Sequence, residues 1–317
     1  MPINRDKQNQ WDEDTSKSVK QYNEWFLDYT PTVFRETRIV ASKTVENSLL
    51  ATSDFIEITP EVLRLNPTII ATLRMACCPP IAVDRLIGLA GVSKNLVANL
   101  EEGKLPARTN SLRLNQELEL IIATINKLLD RDIFPWIATK NPPSSIQRYT
   151  AATIVADRLC TAIANPIIRN AQEQRQLGKI EDYLAARGYK KHQTKPGQNL
   201  TDIPPGSFTF RFNVEVGGNK RKVRIPIDVV LKPRASHVND LPILMEAKSA
   251  GDFTNTNKRQ KEELTKARQL RESLGEKVEL ILFLCGYFDA NYLAYEATEN
   301  IDWIWEHRME DLDQLGL

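Results

Sequence analysis

A change of hydrophobic period near residue 207 narrows the possible folds more than any other feature. Phe208, Phe210, Phe212, Val214 and Val216 alternate with Thr209, Arg211, Asn213 and Glu215, a period of two that suits an extended strand with one buried face. Gly217-Gly218-Asn219 supplies a turn back into the apolar residues 223–231, so a hairpin is expected. Upstream the pattern is different. From about Asp14 to Leu129 apolar residues recur at threes and fours, with breaks expected at Pro31, Pro60, Pro67 and Pro79-Pro80, and this half reads as helices.

Lys140-Asn-Pro-Pro-Ser-Ser145 has linker chemistry: two prolines stop one helix, and Ser144 or Ser145 can cap the next. The domain boundary is expected there, giving a helical domain at 1–144 and a mixed α/β domain at 145–317. Residues 146–187 are helical in pattern, with an interruption expected near Pro166 and a left-handed cap at Gly188. After the hairpin come a third strand at 242–248, a helix at about 255–274 with Leu264, Ala267, Leu270 and Leu274 on one side, and a nearly all-apolar strand at 278–285. That last strand suits the centre of a sheet covered on both faces.

The 317 residues suffice for about two domains of typical size. Forty-two basic residues against 41 acidic ones leave a net charge of +1, so a polyanion partner would have to be held by local patches. Basic residues do outnumber acids between Lys179 and Arg234, which suits a surface that follows phosphates. Cys77, Cys78, Cys160 and Cys285 have neither zinc nor disulfide spacing, which favours a reducing cytoplasm. The charged N-terminus does not resemble a signal peptide, and the apolar run at 280–288 is far shorter than the ~20 residues of a membrane span, so a soluble protein is expected. Phosphate-loop, dinucleotide and serine-elbow motifs are absent, and His192, His237 and His307 lack ligand spacing.

The chemistry-bearing residues lie on the second and third strands, in Ile225-Pro-Ile-Asp228-Val-Val230 and Leu241-Pro-Ile-Leu-Met-Glu246-Ala247-Lys248. Residues i and i+2 of a strand share a face, so Glu246 and Lys248 stand side by side, and Asp228 joins them if the strands are neighbours. Two carboxylates and an ammonium on apolar strands are costly unless neutralised. A hard divalent cation such as Mg²⁺ suits their oxygen donors, and Lys248 could orient or help deprotonate a water. Taken alone, Glu-x-Lys is as simply a salt bridge at a strand end.

The order of elements around these residues resembles the PD-(D/E)XK nuclease superfamily over about 165–307. This implies a restriction-endonuclease-like mixed sheet flanked by helices, in the α/β (α+β) class, with an all-α N-terminal domain. The resemblance implies that Asp228 and Glu246, with the Ala247 carbonyl, bind Mg²⁺ and that Lys248 serves the water. Ile227 stands between Pro226 and Asp228, where the family pattern often has none. Glu181 is the candidate for the acid that many members place on the first core helix, and Gln260 for a supporting glutamine. The segment Ser249-Ala-Gly-Asp-Phe-Thr-Asn-Thr-Asn-Lys-Arg-Gln-Lys261 is similar to that of XamI-type restriction endonucleases, and makes Asn255, Asn257, Lys258 and Arg259 candidates for DNA contact.

Residues 83–104 resemble a helix-turn-helix, with Gly91 at the turn and Leu86, Ala90, Val92, Val97 and Leu100 between the helices. Ser93 would cap the second helix, turning Lys94, Asn95, Leu96 and Asn99 outward to the major groove, with Lys104 near phosphate. An ordinary helical hairpin accounts for the same pattern. Together these readings imply a Mg²⁺-dependent type II endonuclease that cuts double-stranded DNA at a short palindrome as a homodimer. A resolvase or repair nuclease, or a non-catalytic DNA-binding regulator, is the alternative.

Overall fold

The computed structural model describes residues 2–106, 111–217, 223–237, 239–254 and 256–317, with the side chains of 256 and 257 left aside. The chain forms two compact units, one of Met1–Thr30 with Arg169–Leu317 and the other of Pro31–Ile168. In order, the elements are α1 (Trp11–Ala51), α2 (Pro60–Leu65), α3 (Ile69–Met75), α4 (Val83–Ala90), α5 (Leu96–Glu101), α6 (Ser111–Leu128), α7 (Trp136–Thr139), α8 (Ser145–Ala186), β1 (Lys190–Lys191), β2 (Ser207–Val216), β3 (Val223–Lys232), β4 (Ile243–Ala250), α9 (Thr256–Leu274), β5 (Leu280–Gly286), α10 (Ala290–Thr298) and β6 (Asp302–Trp305). This is a mixed α/β protein.

The compact units do not divide at Ser145. Ser144 does cap α8, its hydroxyl accepting from the Gln147 N–H at 3.3 Å while the Gln147 side chain accepts from the Ser144 N–H at 2.9 Å. However, the helix it starts packs Ala151, Val155 and Leu159 into the core of the helical unit. A proline pair stops a helix whether or not a domain ends there. Pro31 and Pro166 lie inside α1 and α8 rather than breaking them. Each removes one backbone donor, and the rest of these helices of 41 and 42 residues carries the structure through.

The core of Pro31–Ile168 is mostly helical, built from residues such as Val45, Leu73, Leu86, Val97, Leu118, Ile125 and Val155. In the other unit the sheet order is β1-β2-β3-β4-β5-β6. The β2–β3 and β3–β4 pairs are antiparallel, whereas β1–β2, β4–β5 and β5–β6 are parallel. One face packs under Leu177, Ile180 and Leu184 of α8, and the other under Ala267 and Leu270 of α9 and Tyr292 and Leu293 of α10. Every residue of β5 is buried, as its unbroken apolar run requires. Trp303 and Trp305 are buried on β6 and close the core.

The alternating strand is present, but its five apolar residues do not share one face. Phe208 lies in the core under α8, while Phe212, Val214 and Val216 lie in the core under α9. Between them Arg211 takes φ +53°, and the β2–β3 ladder skips the Arg211–Asp228 position. One left-handed residue reverses the alternation beyond it, at a cost of roughly 1–3 kcal/mol. The turn residues Gly218 and Asn219, with Lys220, Arg221 and Lys222, lie outside the described residues.

The N-terminus belongs with the sheet, which its sequence did not announce. Asp302 on β6 accepts from the Ile3 and Asn4 N–H groups at 2.6 and 2.9 Å, and Asn4 Nδ2 donates to the Trp303 carbonyl at 2.9 Å. Ile3 and Trp11 are then buried on opposite faces of the sheet.

Candidate active site

The β3–β4 ladder pairs Leu231 with Ile243, Val230 with Leu244 and Val229 with Met245, and stops there. One step further along the same register stand Asp228 and Glu246, at the point where the strands separate. The Ala247 N–H has no strand partner across this gap and donates instead to Asp228 Oδ2 at 2.9 Å. On β4, Leu244 faces the α9 layer while Met245 and Ala247 face α8, so Glu246 and Lys248 share the α9 side. The alternation of β3 also breaks at Asp228, since Ile227 and Val229 face opposite sides, and it is the bond to the Ala247 N–H that fixes the Asp228 carboxylate beside Glu246.

Glu246 is 3% exposed, and its Oε2 lies 3.3 Å from Lys248 Nζ and 2.8 Å from Lys266 Nζ. Lys266, on α9, also donates to the Pro226 carbonyl at 2.9 Å. Glu246 Oε1 is buried without a hydrogen-bond partner. Burial and the neighbouring Glu246 charge push the Asp228 carboxyl up to about 6. Burial works to lower the Lys248 ammonium, but Glu246, Glu263 and Asp228 outweigh it and hold it above the usual lysine range. Lys248 is therefore a proton-bearing cation in this state, suited to orienting a water or phosphate.

Behind these residues α9 buries more polar chemistry. Gln260, Glu263, Ala267 and Leu270 form its buried stripe. Tyr292 donates its hydroxyl proton to Glu263 Oε2. Burial raises Glu263, and burial together with the Glu263 charge pushes Glu296 up to about 9, so Glu296 stays protonated at neutral pH. From the other layer Gln176 Nε2 donates to the Lys248 and Phe283 carbonyls, each at 3.3 Å, tying the site-bearing β4 to β5.

The structure thus brings Asp228, Glu246, Ala247 and Lys248 together. Glu181 does not join them: its carboxylate is held by Lys191 at 2.8 Å. The α8 acid that reaches the skipped Arg211–Asp228 position is Glu173, which pairs with Arg211 at 2.8 Å. The sequence reading missed Lys266, Glu263 and Gln176. A trace of the first two was visible, since charged residues at 263 and 266 interrupt the apolar side of α9.

Beside the carboxylates a groove of about 750 Å³ is lined by Arg224, Pro226, Lys258, Lys261 and Lys266 among others. Arg259 donates to the Asp252 carbonyl at 3.3 Å. Asn255 and the side chain of Asn257 lie outside the described residues. No group of three or more His, Cys, Asp or Glu suited to a metal is present among the described residues.

In the helical unit Gly91 ends α4 at φ +66°, and Leu86, Ala90, Val97 and Leu100 are buried where α4 and α5 meet the core. The second helix starts two residues later than a Ser93 cap requires. Ser93 Oγ donates to Glu117 Oε1 at 2.6 Å, and Asn95 occupies the cap position with no side-chain bond. Val97 and Leu100 face inward as expected, but Leu96, expected outside, is buried beside them, while Lys94 and Asn95 are exposed and Asn99 is half-buried. Lys104 pairs with Glu102 at 2.7 Å.

A mixed sheet between helical layers, its central antiparallel strands parting beside Asp228 and Glu246, is the architecture of the restriction-endonuclease-like fold class. The XamI restriction endonuclease family matches residues 53–305, and the chain belongs to that family. It is 51% identical over 314 residues, 99% of each chain, to the type II restriction enzyme SalI of Streptomyces albus G. It is also 26% identical over 193 residues, 59% of this chain and 60% of the relative, to the type II restriction enzyme XamI of Xanthomonas campestris pv. amaranthicola. A solved Vibrio cholerae protein matched at 14% identity and a TM-score of 0.28, over 90% of this chain and 55% of that one, is too distant to inform the fold.

Proposed function

We propose that this restriction endonuclease hydrolyses double-stranded DNA at a specific site as a Mg²⁺-dependent type II enzyme. The observation that carries this is the convergence of Asp228, Glu246 and Lys248 at the parting of β3 and β4. The donor set fits a hard cation: both side chains offer oxygen, Glu246 Oε1 is buried with no partner, and burial together with the Glu246 charge disfavours the Asp228 anion. Asp228 and Glu246, with the Ala247 carbonyl, would hold Mg²⁺, which when bound supplies positive charge to the phosphate under attack.

The chain's own groups would do the rest. Lys248 orients the attacking water and the scissile phosphate by an ammonium that keeps its proton. The groove lysines Lys258 and Lys261, with Arg259 nearby, track the backbone. Lys94, Asn95 and Asn99 at the start of α5 read bases, a role assigned to the α4–α5 pair as a helix-turn-helix, and Ser93 and Lys104 belong to the same surface. A palindromic site would be met by a homodimer with two such centres. Cys77, Cys78, Cys160 and Cys285 are unpaired, which supports a cytoplasmic protein.

Digestion of a mapped plasmid with and without Mg²⁺ tests this. Discrete fragments are expected only with the metal, and Lys248→Ala should lower the rate by about 100-fold or more. Site-specific cutting by Lys248→Ala at the wild-type rate would overturn the assignment.

A further inference from the structure

The carboxylate pair is already matched by two ammonium groups without any metal, and the buried Glu263 adds a further acid behind Lys248. Asp228 and Glu246 bring two negative charges, Lys248 and Lys266 two positive ones, and both ammonium groups sit on the same oxygen, Glu246 Oε2. Of the two, Lys266 is the nearer, at 2.8 Å against 3.3 Å. A dication entering between the carboxylates would leave a buried excess of positive charge unless one ammonium moved away.

The two lysines differ in where they can go. Lys248 is anchored on β4, whose carbonyl at that residue is held from behind by Gln176. Lys266 projects from α9 and lines the groove with Lys258, Lys261 and Arg224. Its other acceptor, the Pro226 carbonyl, is neutral and faces the same groove. An ammonium on a flexible four-carbon stem can exchange a carboxylate for a phosphate without moving the helix that carries it.

We propose that Lys266 is a built-in counter-ion that competes with the metal for Glu246 until a DNA phosphate in the groove draws it off. This rests on the metal-dependent nuclease reading and adds a coupling to it: DNA strengthens metal binding, and by reciprocity the metal strengthens DNA binding. The free enzyme then holds metal weakly, and the site completes itself only on its substrate.

The test is a titration of free protein with Mn²⁺, followed by electron paramagnetic resonance, with circular dichroism to confirm folding. Lys266→Met should bind Mn²⁺ about tenfold more tightly than wild type in the absence of DNA, within the usual range of coupling. Arg268→Met, one charge removed on the same helix but paired with Glu299, should change the affinity by less than about twofold. A duplex oligonucleotide of arbitrary sequence should tighten Mn²⁺ binding by wild type and leave Lys266→Met unchanged. Equal effects of the two substitutions, or weaker binding by Lys266→Met, would overturn the proposal. Should Lys266→Met not fold, Lys266→Gln, which can keep the bond to Pro226, makes the same comparison. The metal site itself fails separately if adding Asp228→Asn to Lys266→Met leaves Mn²⁺ affinity unchanged.

Discussion

The strand-borne site and the α4–α5 pair were both expected from short motifs, and they fared differently. On β4 the side-by-side placement of Glu246 and Lys248 follows from the strand itself, because every second residue shares a face regardless of where the strand begins. On α5 the expected Val97 and Leu100 do face inward, but which neighbour joins them and which residue caps the helix are set by the core it packs on. The helix starts too late for a Ser93 cap, and Leu96 is buried beside Val97 and Leu100. The Glu-x-Lys spacing on β4 therefore carries its orientation with it, although the left-handed Arg211 on β2 reverses an alternation of the same kind, whereas the cap and the edge of the buried stripe of α5 are set by tertiary contacts.

Substitutions can break or sharpen this contrast. The largest effect is expected at the strands, where Asp228→Asn or Glu246→Gln should reduce Mg²⁺-supported plasmid cleavage by about 100- to 1,000-fold while leaving the far-ultraviolet circular dichroism unchanged. Retained cleavage in both would remove the strand site from the comparison. In the helical unit Leu96→Ala should cost about 3 kcal/mol in chemical denaturation, as truncation of a buried leucine does. A surface-sized effect below about 0.5 kcal/mol would mean that Leu96 faces outward after all.

A subtler effect lies in pH. In the metal-free protein the Asp228 carboxyl is raised from 3.8 to about 6, so its charged form is disfavoured in the fold. The cost is absent below the unfolded value, grows as pH rises from about 4 to 6, and is fully present above that. Asp228→Asn should therefore stabilise the metal-free protein above pH 6, by on the order of 1–2 kcal/mol after solvent screening, and not near pH 3.5. Urea denaturation across that range reads it, and a pH-independent difference would contradict the raised value.

The smallest effect is expected at Ser93. If it capped α5, Ser93→Ala would cost about 1 kcal/mol. Because its hydroxyl reaches Glu117 on α6 instead, less than about 0.5 kcal/mol should be lost in thermal denaturation.

Much of the fold was legible because its signals are local. The helical period before residue 129, the hairpin strands, the buried β5 run and the α9 helix all formed close to where their patterns lie. Glu181 and Glu173 show where legibility stopped. Both sit on α8, and only the packing of that helix on the sheet decides that Glu181 meets Lys191 while Glu173 meets Arg211. Lys266 was missed for the same reason. Its partner Glu246 is twenty residues away and on another layer, and no periodicity links a helix residue to a strand residue.

The amino-acid order alone determined which residues would alternate, where the chain would turn from helices to strands, and that Glu246 and Lys248 would lie on one side of β4. These are consequences of backbone geometry, which repeats within a few residues. Tertiary structure decided that β3 would part from β4 at Asp228, that the strand would twist at Arg211, and that Lys266 would neutralise Glu246. Those outcomes depend on which layers meet and at what offset, a choice made by the burial of whole faces rather than by any one segment.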